Sequence, residues 1–281
     1  MKDGAGTVRL LDVHDAGEVW PLLDRDPVGN VFVAARLREA GSDPRRLGAQ
    51  VWGYAGRDGL ESVCYAGANL IPVDPTPAAV TAFARYAMRG SRMCSSIFGR
   101  EEAVAPLWRL LQAAWSPARE VRAGQHLLAT SSAPAVPADP AVRRTQPSEL
   151  DTLLPACVAM YTEEVGVSPV GPDGGASYRA RVGELIGLGQ SFVRIDSGEV
   201  VFKAEIGAVT PHACQVQGVW VAPRLRGQGL GTAGTAAVVA EALRSVAPVV
   251  SLYVNAHNVA AQRAYQRVGL DPAGHFMSVL F

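Results

Sequence analysis

Apolar positions along the first half of the chain change period repeatedly, from alternation to helical spacing and back. Residues 8–11 read as a short strand. Residues 16–23 and 28–40 read as helices punctuated by Pro27 and Gly41, with Asn30, Phe32, Val33 and Leu37 on one face of the second. Residues 50–55 and 62–66 alternate as strands around Arg57-Asp58-Gly59, a hairpin signal. A strand at 69–73, a helix at 77–88, a strand at 93–98, a helix at 101–114 and a strand at 120–129 complete this half.

The second half repeats the order. A strand is predicted at 142–145, helices at 149–161 and 178–188, and strands at 191–195, 200–209 and 213–221, the first two joined by Asp196-Ser197-Gly198. A helix at 232–246, a strand at 249–254, a helix from 259 and a closing strand at 274–280 follow. The repeat lies in the order of elements, without visible identity. It predicts two α/β domains, 1–129 and 142–281, each a mixed, mostly antiparallel sheet flanked by helices, with a Ser-, Ala- and Pro-rich linker at 130–141.

Composition narrows the functions. Hydrophobic residues make up 48% of 281, ample for globular cores, and the formal charge is zero with no basic block, so no nucleic-acid partner is expected. Of 26 lysines and arginines, only Lys2 and Lys203 are lysines. No apolar run reaches a membrane-spanning length and no leader core follows Met1, so a cytoplasmic protein without a membrane partner is expected. Cys64, Cys94, Cys157 and Cys214 lack metal spacing and read as free, buried thiols; no metal is expected. His212 and His257 lie in turns without a visible partner and read as surface residues.

The stretch 215–231 carries the chemistry. Val216, Val219, Trp220 and Val221 form a strand that Pro223 ends. Arg226, Gly227, Gly229 and Gly231 then precede an apolar helix. Glycines let the backbone approach a ligand, successive N–H groups make an anion nest, and a helix N-terminus adds partial positive charge. A pyrophosphate suits such a turn. A Walker loop would require a lysine that Gly234-Thr235 lacks. A dinucleotide fingerprint would require glycine at Thr232 and an acid at the end of the next strand, where Asn255 stands. A tight connection binding nothing is the remaining alternative.

Arg226-Gly227-Gln228-Gly229-Leu230-Gly231 resembles the pyrophosphate loop of the GNAT acyltransferase superfamily, Arg/Gln-x-x-Gly-x-Gly/Ala. About 30 residues on, Asn258-Val259-Ala260-Ala261-Gln262-Arg263-Ala264-Tyr265 with Gly269-Leu270 resembles that family's second motif, Leu270 standing where Phe is usual. The resemblance covers roughly 142–281 and implies direct transfer of an acetyl group from acetyl-CoA to an amine of a small molecule or peptide. It places cofactor contacts at Val219, Trp220 and Val221, at Arg226 to Thr232 (Gly227, Gln228, Gly229, Leu230 and Gly231 between them), and at Asn255, Asn258, Ala261 and Tyr265. A backbone N–H near Val219 would polarise the thioester carbonyl, and Tyr265 would protonate the departing thiolate. Asn258 is also expected to cap its helix.

The base is less plainly marked. Where many family members carry a carboxylate, this chain has Gln215 and Gln217. Candidates are Glu205, whose alternation favours a solvent-facing side chain, and Glu163 with Glu164 before a Gly/Pro-rich loop. Two carboxylates at a helix C-terminus call for a positive partner, either an amine substrate or an arginine such as Arg179 or Arg181. At the loop's position the first half has Pro72 to Pro77 with Asp74, and so reads as a degenerate module without a cofactor site; Ser95 to Arg100 before a helix is the alternative anion site there. A non-catalytic acyl-CoA-binding sensor is the alternative function.

Overall fold

The computed structural model describes residues 6–56 and 59–281. The residue pair Arg57-Asp58 of the expected hairpin lies outside the described residues. In chain order the elements are β1 (Thr7–Leu10), α1 (Ala16–Leu23), α2 (Val31–Ala40), α3 (Pro44–Leu47), β2 (Gln50–Ala55), β3 (Leu60–Ala66), β4 (Asn69–Val73), α4 (Pro77–Ala87), β5 (Ser96–Arg100), α5 (Glu101–Leu111) and β6 (Glu120–Thr130). Then come β7 (Arg143–Arg144), α6 (Leu150–Val165), α7 (Ala176–Gly187), β8 (Ser191–Asp196), β9 (Glu199–Val209), β10 (Cys214–Val221), α8 (Leu230–Ser245), β11 (Val250–Val254), α9 (Val259–Val268) and β12 (Asp271–Leu280). The fold is mixed α/β, with predominantly antiparallel pairing and helices on the sheet faces.

Two compact units form. One holds residues up to 127 together with 253–257 and 273–281; the other holds 128–252 and 258–272. In the first unit β1, β2, β3 and β4 pair antiparallel in sequence order, and β4 pairs parallel with β5 through Asn69–Ser96 and Leu70–Ile97. Pro72 lies beyond that parallel stretch, where its missing N–H interrupts nothing. β12 pairs antiparallel with β5, from Phe276–Arg100 to Leu280–Ser96. One face of this sheet buries Phe83, Leu107 and Trp108 of α4 and α5 with Met277 and Val279 of β12; another core gathers Leu22, Leu23, Val33 and Leu37 of α1 and α2.

In the second unit β7, β8, β9 and β10 pair antiparallel in sequence order. Ser197 and Gly198 both take positive φ, the two-residue turn expected from Asp196-Ser197-Gly198. Leu153, Ala156 and Cys157 of α6 and Val182 and Ile186 of α7 cover Val193 and Val200. Helix α6 runs four residues past its expected end because its stop is Gly166 in the left-handed region. The stretch predicted as a linker docks on this unit: Ala135 N–H donates to the Val268 carbonyl at 2.8 Å, Asp139 N–H to the Ala233 carbonyl at 3.0 Å, and Arg194 pairs with Asp139 at 2.8 Å.

Candidate functional site

The second unit brings together a broken strand, an open helix terminus and a polar cluster. Parallel pairing of β10 with β11 covers Cys214–Val250 and Gln215–Ser251 and goes no further, although β10 continues to Val221. On its other edge β10 pairs Gln217 with Glu205 but Trp220 with Lys203, so three steps along β10 oppose two along β9. The extra residue is a bulge at Gly218-Val219, and Gly218 takes φ 59°. A strand that leaves one neighbour and bulges against the other presents backbone N–H and C=O groups to a ligand.

From Val221 the chain turns through Pro223–Leu225 into Arg226, Gly227 at φ 76° and Gly229 at φ 86°. Gly229 is the N-cap of α8 and supplies no side-chain acceptor, so the first-turn N–H groups stay open to an external one. A Cβ at Gly227 or Gly229 would meet nothing within 4 Å, whereas at Gly231 it would stand 3.4 Å from Val221 and at Gly234 2.5 Å from the Phe202 ring. The first two glycines therefore serve turn conformation and external approach, and Gly234 serves helix-to-sheet packing. The equivalent helix of the first unit, α4, is closed instead: Thr76 accepts from Ala79 N–H, Pro77 opens the helix, and Asp74 pairs with Arg25 at 2.6 Å. The alternative anion site before α5 has its arginine engaged, Arg100 reaching Asp26 and the Ala273 carbonyl at 2.6 Å each, and begins its helix with Glu101 and Glu102.

Arg226 donates through Nε to the Val221 carbonyl at 3.0 Å and through Nη2 to Glu163 Oε2 at 2.7 Å; Trp220 Nε1 approaches Glu163 Oε1 at 3.4 Å. The positive partner of Glu163 is thus the loop arginine. Arg179 pairs instead with Asp151 and Arg181 with Glu184. Beside the loop lies a cavity of about 720 Å³ lined by Gln228, Leu230, Thr232, Arg267, Arg194 and the docked segment at 136–140.

Glu205 does not face solvent as its alternation suggested. It shares a face of β9 with Lys203, and α6 and α7 cover that face. Lys203 Nζ donates to Glu205 Oε2 at 3.1 Å and reaches Cys157 Sγ at 3.7 Å, while Gln217 Nε2 donates to Glu205 Oε1 at 2.9 Å. The Glu205 side chain is 14% exposed and that of Lys203 1%. Burial pulls the Lys203 ammonium towards neutrality, but Glu205 and Cys157 outweigh it and hold the proton on more firmly than usual. Tyr178, whose hydroxyl donates to the Cys157 carbonyl at 3.0 Å, is pushed well above the usual phenol range, chiefly by burial.

Asn258 caps α9 through its side-chain oxygen, which accepts from Ala261 N–H at 3.2 Å. Seven residues on, Tyr265 is buried, and burial, with the Glu164 charge adding to it, raises its phenol pKa far above ordinary. Such a phenol is protonated throughout the neutral range. Asn255, in the first unit, places its side-chain oxygen on Gln125 Nε2 at 2.8 Å. Lys203, Gly218, Arg267 and segment 136–140 were not among the site residues expected from the sequence; a glycine inside a strand and a lone internal lysine among arginines were the available signals for two of them.

Residues 168–270 match the acetyltransferase (GNAT) family, and residues 49–153 match a domain of unknown function, DUF4081. No curated protein matches the chain by sequence. Among solved structures, a GCN5-related N-acetyltransferase from Sphaerobacter thermophilus is 18% identical with a TM-score of 0.59, covering 98% of this chain and 95% of that one. A GNAT-family acetyltransferase from Colwellia psychrerythraea is 14% identical with a TM-score of 0.57, covering 98% and 99%. A tandem GNAT protein from the clavulanic acid biosynthesis pathway is 14% identical with a TM-score of 0.54, covering 97% and 98%. At these identities the likeness is one of fold. Among the described residues no helix is long and apolar enough to cross a membrane.

Proposed function

Starting from a GNAT domain over residues 168–270, we propose that this protein transfers an acetyl group from acetyl-CoA to an amine of a small molecule or peptide. What carries the reading is the half of β10 that leaves β11 after Gln215 and runs into an uncapped, glycine-flanked helix terminus. Pyrophosphate would sit on the N–H groups of 227–232 beside Arg226, and the pantetheine arm would pair with Val219, Trp220 and Val221. Asn258 and Ala261 would border the cofactor's far wall.

The acceptor nitrogen attacks the thioester carbonyl, whose oxygen takes a hydrogen bond from Val219 N–H. The new N–C bond forms, the C–S bond breaks, and the nitrogen's proton passes to Glu205, directly or through a water. Tyr265 protonates the departing thiolate and regains its proton from solvent. Glu164, with Glu163 once Arg226 turns to phosphate, would present negative charge to a cationic acceptor. The first unit, its α4 terminus closed by Thr76 and Pro77 and with Asp74 in the loop's place, is in this reading a degenerate module without a cofactor loop.

The test is thiol release from acetyl-CoA by the full chain against a panel of primary amines and peptides, with coenzyme A binding followed by calorimetry. Saturable binding with no release from any amine would leave an acyl-CoA sensor; absence of binding would sink both readings.

A further inference from the structure

Lys203 is the least exposed charged side chain among the described residues, in a chain that otherwise uses arginine for positive charge beyond Lys2. An ammonium is a compact charge with three donors, whereas a guanidinium needs a plane and partners for five. The space around Nζ is small. A Cβ at Gly218 would stand 3.0 Å from Lys203 Nζ, 3.1 Å from Met160 and 3.2 Å from Glu205 Cδ. The ammonium and the carboxylate therefore lie immediately behind the β10 bulge, where the thioester carbonyl is placed in the proposed reaction. The groups facing them are Cys157 from α6, Tyr178 from α7 and Gln217 from β10, with Tyr161 and Glu164 acting at longer range on Tyr178.

We propose that Lys203 is a positioning residue for the acetyl transfer: it fixes the Glu205 carboxylate against the β10 bulge, where Glu205 takes the acceptor's proton. The inference rests on the transferase reading. Each carboxylate oxygen has one donor, Lys203 or Gln217, and keeps a second lone pair for the incoming proton. A buried ion pair kept only for stability is replaceable by apolar groups at little cost, whereas removing one partner strands the other. Lys203 acts through Glu205, so its loss must be felt in the pH dependence of the reaction.

The experiment uses the full chain with acetyl-CoA and the best amine from the panel, measuring kcat and KM across pH. Lys203→Met should lower kcat about 10-fold or more at neutral pH, with the acetyl-CoA KM nearly unchanged. It should move the acid limb of kcat/KM up by about half a pH unit or more, because an unpaired buried carboxylate favours its protonated form. Gln217→Leu, at an exposed position, should move the same limb the same way by less. The double variant Lys203→Met/Glu205→Gln should be no slower than Glu205→Gln alone. An acid limb unmoved in Gln217→Leu and in any Lys203→Met that folds, or a double variant far slower than Glu205→Gln, overturns the inference while leaving the transferase standing. A readout without turnover accompanies this: the chain's two lysines yield two ¹³Cε-lysine resonances, and that of Lys203 should show an acid inflection that Glu205→Gln abolishes. Its absence from the parent overturns the pairing. A parent that releases no thiol with any amine of the panel ends the transferase reading and the positioning role with it.

Discussion

Two glycines five residues apart should fail in opposite ways. Gly229 takes φ 86°, and a methyl group there would touch no protein atom within 4 Å. Gly229→Ala therefore costs only the strain of an L-residue in the left-handed region, about 1–2 kcal/mol. The methyl stands at the uncapped end of α8, where an anion must come within hydrogen-bond distance of backbone. Weakening of coenzyme A binding by about 10-fold or more, roughly 1.4 kcal/mol, is expected. Gly234 is ordinary helix, but a methyl would lie 2.5, 2.6 and 2.8 Å from three atoms of the buried Phe202 ring. Alanine's better helix propensity returns about 1 kcal/mol, against an overpacking cost of about 1–3 kcal/mol, so Gly234→Ala loses up to about 2 kcal/mol and keeps its coenzyme A affinity. Calorimetric titration and urea denaturation of the two full-length variants separate these outcomes. Parent-like affinity in Gly229→Ala would refute the assignment of the loop to the cofactor.

Tyr265→Phe should reduce kcat by about 10²–10⁴-fold with acetyl-CoA affinity unchanged, measured by steady-state kinetics and calorimetry; equal turnover rejects the proton-donor role. Glu163→Gln should leave the urea midpoint nearly unmoved, since both partners of the Glu163–Arg226 pair are close to half exposed, and should tighten coenzyme A binding by freeing Arg226 for phosphate; weaker binding would show that Glu163 orients the arginine instead. Burial pushes the thiols of Cys64 and Cys157 up and that of Cys214 to about 12. Folded values above the ordinary value near 8.5 mean stability that is complete below that pH and lost as pH rises through the folded values, by at most about 1.4 kcal/mol per thiol per pH unit. A urea midpoint as high at about pH 9.5 as at neutrality would contradict this. Truncation after residue 270 removes Met277 and Val279 from the first unit's core, so the near-UV circular dichroism of that unit's Trp52 and Trp108 should collapse; a retained signal would show that the core closes without β12.

Local signals were legible to within a residue or two where chain-neighbour chemistry sets them. Alternation gave β2 and β4 their bounds, Asn258 announced its cap, and the glycines before α8 announced an open terminus. The predicted start of α8 was two residues late, because Gly229 in the left-handed region lets the helix begin at Leu230. Helix α3 went unread although Asp43-Pro44 with Gly48 carries N-cap, first-turn and C-cap signals; four residues show no apolar period. β5 was placed three residues early at its start because its register comes from β4 and β12, distant in sequence. The site divides similarly. The loop is a contiguous word, so it could be read. The facing of Glu205 depends on which side of β9 helix α6 covers, and the partner of Glu163 depends on a loop 63 residues away.

The pairing of β12 with β5 sets an order of events during synthesis. The strand Ser96–Arg100 leaves the ribosome long before residues 276–280, which will occupy its open edge. Throughout translation of the second unit, the first must wait with one edge of β5 unpaired and without Met277 and Val279 in its core. The unit encoded earliest is therefore the last to close, and a ribosome stalled before residue 276 holds a nascent chain that a chaperone or a protease can still distinguish from the finished one.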